Sequence, residues 1–205
     1  MKRAFVVAVV VGLACSSVSK ANITNVWYRD DGDGAFVCGN PGTWTGSTNA
    51  LSLGVNGKEC GTPGHLLLNV YTDSPDDPTL KIDNSIDNDT SFAWTQFTVN
   101  LTMNVSFTLT NVFVSTPGDW QVVSGDNQTA TYTGSNYLAT VVYDTGAAIA
   151  TNDTIEFGYW VKFSGSPAYT ITQEMVPVPE PSSWAMVAFG AIALLGSRRL
   201  RRRSS

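Results

Sequence analysis

Near the middle of the chain, Phe97, Val99, Leu101, Met103, Val105, Phe107 and Leu109 fall on every second position, with Thr, Asn or Ser at each position between them. Side chains of an extended strand point alternately to opposite faces, so this stretch makes one apolar face and one face of hydroxyls and amides. A helix would scatter the same residues around its circumference. Run as a single strand, residues 97–109 would reach about 43 Å, against a usual length of about 17–20 Å. A bend or break near Met103 to Val105 is therefore expected.

Phe92 and Trp94 precede this run on the opposite parity. A β-bulge near Thr95 and Gln96 is predicted to bring both sets to the same core. Ile155, Phe157, Tyr159, Val161 and Phe163 alternate again, Gly165 to Pro167 supply a turn, and Tyr169 and Ile171 open a last strand. Further strands are expected at 50–55, 65–72, 79–83, 120–123, 129–133 and 137–143. Together these make about eight to ten short strands, the pattern of an all-β protein built as a two-sheet β-sandwich, jelly-roll or immunoglobulin-like. Trp94, Phe97, Phe157 and Phe163 belong in its core by residue type. The N-terminal third, rich in glycine and polar residues, reads as irregular.

The 205 residues suffice for one folded unit between two end segments. Lys2 and Arg3, an apolar stretch over residues 4–14, and the small residues Ser19 and Ala21 have the form of a secretory signal helix cleaved after Ala21. Gly12 in "GLAC" argues against Cys15 as a lipid-bearing first residue. Residues 22–176 form the expected body. Once the signal is gone, Cys38 and Cys60 remain in a chain bound for an oxidising compartment, and a disulfide between them is the expectation.

Over residues 22–181, four bases (Arg29, Lys58, Lys81 and Lys162) stand against all seventeen acids, a formal charge of −13. Such a body repels nucleic acid and anionic lipid. Few motifs suggest chemistry. Asp30, Asp31 and Asp33 in "DDGDG" lack the spacing and closing glutamate of an EF-hand, and read as a solvated acidic turn. His65 is the single histidine, and no G-x-S-x-G elbow accompanies it. Glu59, Glu156 and Glu174 are available carboxylates, but nothing in the sequence sets two of them at a glycosidase separation, and all three read as exposed charge. Sequons occur at Asn22, Asn88, Asn100, Asn104, Asn127 and Asn152. Neither a metal nor another cofactor is expected, and the chain is read as having no enzymatic activity.

The last segment, 177–205, has three parts in order: "VPEPSS" from Val178, an apolar run from Trp184 to Leu195, and Arg198, Arg199, Arg201, Arg202 and Arg203. Extended over residues 182–196, the run makes about 22 Å of helix against a hydrocarbon core of about 30 Å, a marginal single transmembrane helix. The arginines stop transfer and favour the cytoplasmic side, and Pro177, Pro179 and Pro181 are expected to detach the segment from the last strand. This order resembles the PEP-CTERM sorting signal of exported bacterial proteins, also known as the C-terminal domain named after ice-binding proteins. The resemblance covers residues 177–205. It implies recognition by exosortase, a multi-pass membrane enzyme, at Pro179, Glu180 and Pro181, with those residues as substrate. It also implies an inner-membrane-anchored precursor that ends at the cell surface or in an exopolysaccharide matrix or biofilm. A structural or adhesive matrix component is the first reading. A carbohydrate-binding module is the second, with Trp160 as its best exposed aromatic and Trp27, Trp44 and Trp120 as possible companions. A polysaccharide hydrolase is the third.

Overall fold

The computed structural model describes residues 23–30, 36–40, 44–47, 50–61, 64–74, 79–163, 165 and 167–180, and gives the backbone alone for 27–30, 36–40, 44–47 and 50–51. These residues contain no helix and fourteen strands. In chain order they are β1 (Ile23–Asp30), β2 (Phe36–Asn40), β3 (Trp44–Ser47), β4 (Ala50–Glu59), β5 (Gly64–Thr72), β6 (Thr79–Asn88) and β7 (Trp94–Met103). There follow β8 (Phe107–Thr116), β9 (Gln121–Ser124), β10 (Gln128–Thr129), β11 (Thr131–Tyr132), β12 (Tyr137–Asp144), β13 (Thr154–Phe163) and β14 (Ala168–Pro179).

The strands form two sheets. The first runs β1-β5-β14-β7-β12-β11, with β9 also on β12; the second runs β10-β8-β13-β6-β4-β2, with β3 also on β4. All pairings are antiparallel except β4 with β6. Alternate residues of both sheets bury into one core. Phe97 and Tyr143 of the first sheet lie 5.5 and 5.0 Å, centroid to centroid, from Phe157 of the second. Trp94, Phe97, Phe157 and Phe163 are all buried, as their types require.

The long alternating stretch does break where its length demanded. β7 ends at Met103 and β8 begins at Phe107, and the chain changes sheets between them. The bulge is also present: β14 pairs Val178 with Gln96 and then Pro179 with Trp94, skipping Thr95. That extra residue lets Trp94 and Phe97, of opposite parity, both point inward.

Three expectations are corrected. The N-terminal third is not irregular throughout, because β1, β2 and β3 pair there with β5 and β4. Its glycines and polar residues hid short edge strands. The Cys38–Cys60 bridge is not formed: Cys60 is free and exposed. Cys38 sits opposite Gly57, three residues back along β4 from Cys60. At a rise of about 3.3 Å per residue, that offset alone puts the two Cα atoms beyond disulfide reach. Burial and the nearby Asp89 and Glu59 carboxylates push the Cys60 thiol up, so it stays protonated near neutrality. Finally, Glu59 is fully buried rather than solvent-facing, since it continues the inward parity of Leu53 and Val55.

Candidate functional site

β14 lies between β5 and β7, but its two pairings have different lengths. Pairing with β5 stops at Met175 opposite Gly64, while pairing with β7 continues to Pro179 opposite Trp94. The Thr170 amide donates to Asn104 Oδ1 at 3.0 Å, and the Glu180 amide donates to the Ala93 carbonyl at 3.2 Å. Even-numbered amides of β14 therefore face β7, and odd-numbered positions face the other way. Pro177 and Pro179 occupy odd positions, beyond the last pair with β5 among the described residues. A missing N–H there removes no ladder bond to β7, so the prolines are tolerated. Their fixed φ also suits an extended strand.

This changes the expected boundary after Val176. The prolines do not detach the tail at once; the strand runs on through Pro179, and the Pro177 ring is buried opposite Phe97. Of the residues marked out in the tail, Pro179 and Glu180 lie at the end of this strand. Pro181, the apolar run and the five arginines lie outside the described residues, as does Ala21. Among the described residues no helix is long and apolar enough to cross a membrane.

A second feature lies on the outer face of the second sheet. Gly54, Asp83, Gly158 and Phe113 stand in register across β4, β6, β13 and β8. One flanking row holds Ser52, Lys81, Trp160 and Thr110; the other holds Asn56, Ser85, Glu156 and Thr116. With glycine on both sides of Asp83, the middle row sinks below its neighbours and leaves a groove of about 330 Å³. At Gly158 a Cβ would come within 2.7 Å of both the Ile82 carbonyl and Phe113 Cζ. The glycine thus lets the Phe113 ring lean onto the sheet. At Gly54 a Cβ would meet nothing within 4 Å, so that end of the row is open.

Lys81 Nζ binds Asp83 Oδ2 at 2.7 Å and stands 5.6 Å from the Phe113 ring centre. The Ser52 hydroxyl donates to the same carboxylate oxygen at 3.3 Å. Glu156, exposed as its parity predicts, accepts from the Thr116 hydroxyl at 2.8 Å. Trp160 is half-buried on this outer face, one row from the groove floor. Trp120 is no companion to it. Its ring is buried, and its indole N–H donates to the Ala147 carbonyl at 2.7 Å. The side chains of Trp27 and Trp44 lie outside the described residues.

Phe113 was not anticipated. Its strand holds Asn111 at φ 49°, and the β13–β8 register shifts between Gly158 and Trp160. Such a shift re-aims side chains out of simple alternation. The asparagine was the only signal in the sequence.

The outer face of the first sheet carries a polar row. His65, Glu174, Asn100 and Thr140 are in register across β5, β14, β7 and β12. His65 Nε2 lies 3.5 Å from Glu174 Oε1, Asn100 Nδ2 donates to Glu174 Oε2 at 2.8 Å, and the Thr140 hydroxyl donates to Asn100 Oδ1 at 2.8 Å. The row contains no serine or cysteine nucleophile. Asn100 is thereby engaged, and Asn88 is buried. Asn104, Asn127 and Asn152 remain exposed, while Asn22 lies outside the described residues. No group of three or more His, Cys, Asp or Glu able to hold a metal occurs among the described residues. Asp30 ends β1, and Asp31 and Asp33 are outside them.

A strand end that leaves the body through alternating prolines, followed by an apolar run and clustered arginines, is the form of a sorting tail. Residues 177–203 match the PEP-CTERM protein-sorting motif. The motif marks an exported protein sorted by exosortase. No curated protein and no solved structure gives a significant match to the chain.

Proposed function

We propose that this protein is a structural component of the bacterial cell surface or exopolysaccharide matrix, delivered there as a membrane-held precursor that exosortase processes through its tail. The observation that carries the reading is the motif match over residues 177–203, which begins within the last strand of a folded two-sheet body. The short apolar run serves as a temporary hold, since its span is marginal against a hydrocarbon core of about 30 Å. The arginines keep the C-terminus on the cytoplasmic side. The test is the intact mass of the protein recovered from membranes and from culture supernatant. Mature protein is expected to lack everything beyond about Pro181 while keeping β14 through Pro179, because that strand joins β5 to β7 within the first sheet. Full-length mass in membranes with none released would leave a plain anchor and remove the processing from this reading.

The groove on the second sheet favours carbohydrate binding by the body as a second reading. Asn56, Ser85 and Glu156 offer hydrogen-bonding groups along one wall, and Phe113 and Trp160 offer rings on the same face. Sugars present hydroxyls at their edges and C–H groups on their faces, which suits such a mixture. The acidic body selects against polyanions, so an uncharged polysaccharide is the fitting class. Gly54→Trp fills the open end of the row without a backbone clash. Retention of the wild type on immobilised dextran, laminarin or mannan is expected, with retention by Gly54→Trp weakened about tenfold, the scale of one lost contact cluster. If the wild type passes through all three unretarded, this second reading fails.

A further inference from the structure

We propose that the folded body and exosortase compete for the same four residues, so that the enzyme engages the tail only after residues 177–180 have peeled away from β7. The inference rests on the reading of the tail as an exosortase substrate. The matched motif begins at residue 177, yet residues 177–179 are still strand, in register with Phe97, Gln96 and Trp94. Pro177 is buried, and the Glu180 amide is held by the Ala93 carbonyl at 3.2 Å. The Thr95 hydroxyl adds a bond to the Val178 carbonyl at 3.4 Å. A membrane enzyme that reads Pro179 and Glu180 as extended peptide needs the backbone groups that β7 already occupies.

The same geometry makes the peeling local. Among the described residues the β5 ladder accompanies β14 as far as Met175, and the β7 ladder continues to Pro179. Opening from Glu180 back to Pro177 breaks the pairing with β7 and leaves the described pairing with β5 in place. Such sub-global openings lie well below the free energy of whole-domain unfolding. Processing becomes a rate set by how often four residues fray.

A reversible lock tests this. Gln96 and Val178 are directly opposite on the outer face, and antiparallel partners about 5.5 Å apart lie within disulfide range. Full-length precursor carrying Gln96→Cys and Val178→Cys is expressed in a producer that contains exosortase, and conversion to the mature mass is followed with time. The expected result is conversion at least tenfold slower than in the Val178→Cys single variant, restored to that variant's rate by dithiothreitol. Equal rates for the oxidised double and the single variant overturn the competition. Absence of conversion in the wild type instead overturns the exosortase reading, so the two failures are distinguishable.

Discussion

Raising the pH above 10 is expected to destabilise the folded protein through two buried tyrosines, Tyr143 and Tyr159. Tyr143 on β12 and Tyr159 on β13 are both fully buried. Burial pushes the Tyr143 hydroxyl well above its ordinary value, with nearby Tyr159 adding to the effect. Burial likewise raises Tyr159, against a smaller opposing influence from the Asn84 amide. In the unfolded chain both release protons near pH 10; in the folded chain they hold them to higher pH. Above pH 10 the native state therefore binds more protons than the unfolded state, and stability falls by at most about 1.4 kcal/mol per tyrosine per pH unit. Below pH 10 the contribution is complete. Urea denaturation at pH 9, 10, 11 and 12 reads the slope directly. Tyr143→Phe is the clean control, because the Tyr143 hydroxyl has no hydrogen-bond partner: neutral stability should hold while the alkaline slope falls by about half. An alkaline slope that Tyr143→Phe leaves unchanged would contradict the argument.

Asn88→Ala is expected to lower stability by about 2–3 kcal/mol, at the upper end of ordinary single-site effects. Asn88 ends β6 with its side chain wholly buried. Its Nδ2 donates to the carbonyls of Phe92 and Ile149, each at 3.0 Å, and its Oδ1 accepts from the Thr90 amide at 3.0 Å and the Thr90 hydroxyl at 2.6 Å. The indole of Trp94 then donates to the Thr90 oxygen at 3.0 Å. One side chain thus joins the β6–β7 turn to the segment before β13. Alanine leaves the Thr90 amide without its acceptor and takes one of two donors from each of the Phe92 and Ile149 carbonyls, and a buried orphan costs about 1–3 kcal/mol. Asn88→Asp should fare no better, because its oxygens would face two carbonyls. Asn100→Ala, on the outer face, should lose less than about 1 kcal/mol. A loss that small at Asn88, measured by urea titration, would show that the turn is held by packing instead. Burial also predicts that the sequon at Asn88 carries no glycan in the folded protein.

Strands whose polar residues face solvent were legible in the sequence. Period two placed Phe97 to Met103 and Ile155 to Phe163 correctly, and opposed parity across Thr95 and Gln96 located the bulge. The pattern misled wherever a polar residue points inward. Asn84, Asn88, Gln173 and Glu59 are all buried, and simple alternation counts such residues as outward. β6 was accordingly read as ending at Asp83, where Asn84 interrupts the apolar positions. The groove was half visible: Trp160's outward parity marked the right face, while the transverse row of Gly54, Asp83 and Gly158 depends on strand order. No local pattern reports which strands will be neighbours. The tail's composition marked its function, but its prolines were misjudged because their tolerance depends on which edge of the strand they face.

That edge has a consequence for the protein among its own copies. At positions 177 and 179 proline leaves no amide to donate on the side of β14 away from β7. A strand added along that side by a second molecule could not complete its ladder at these two rungs, so the residues that introduce the sorting signal also discourage edge pairing between copies.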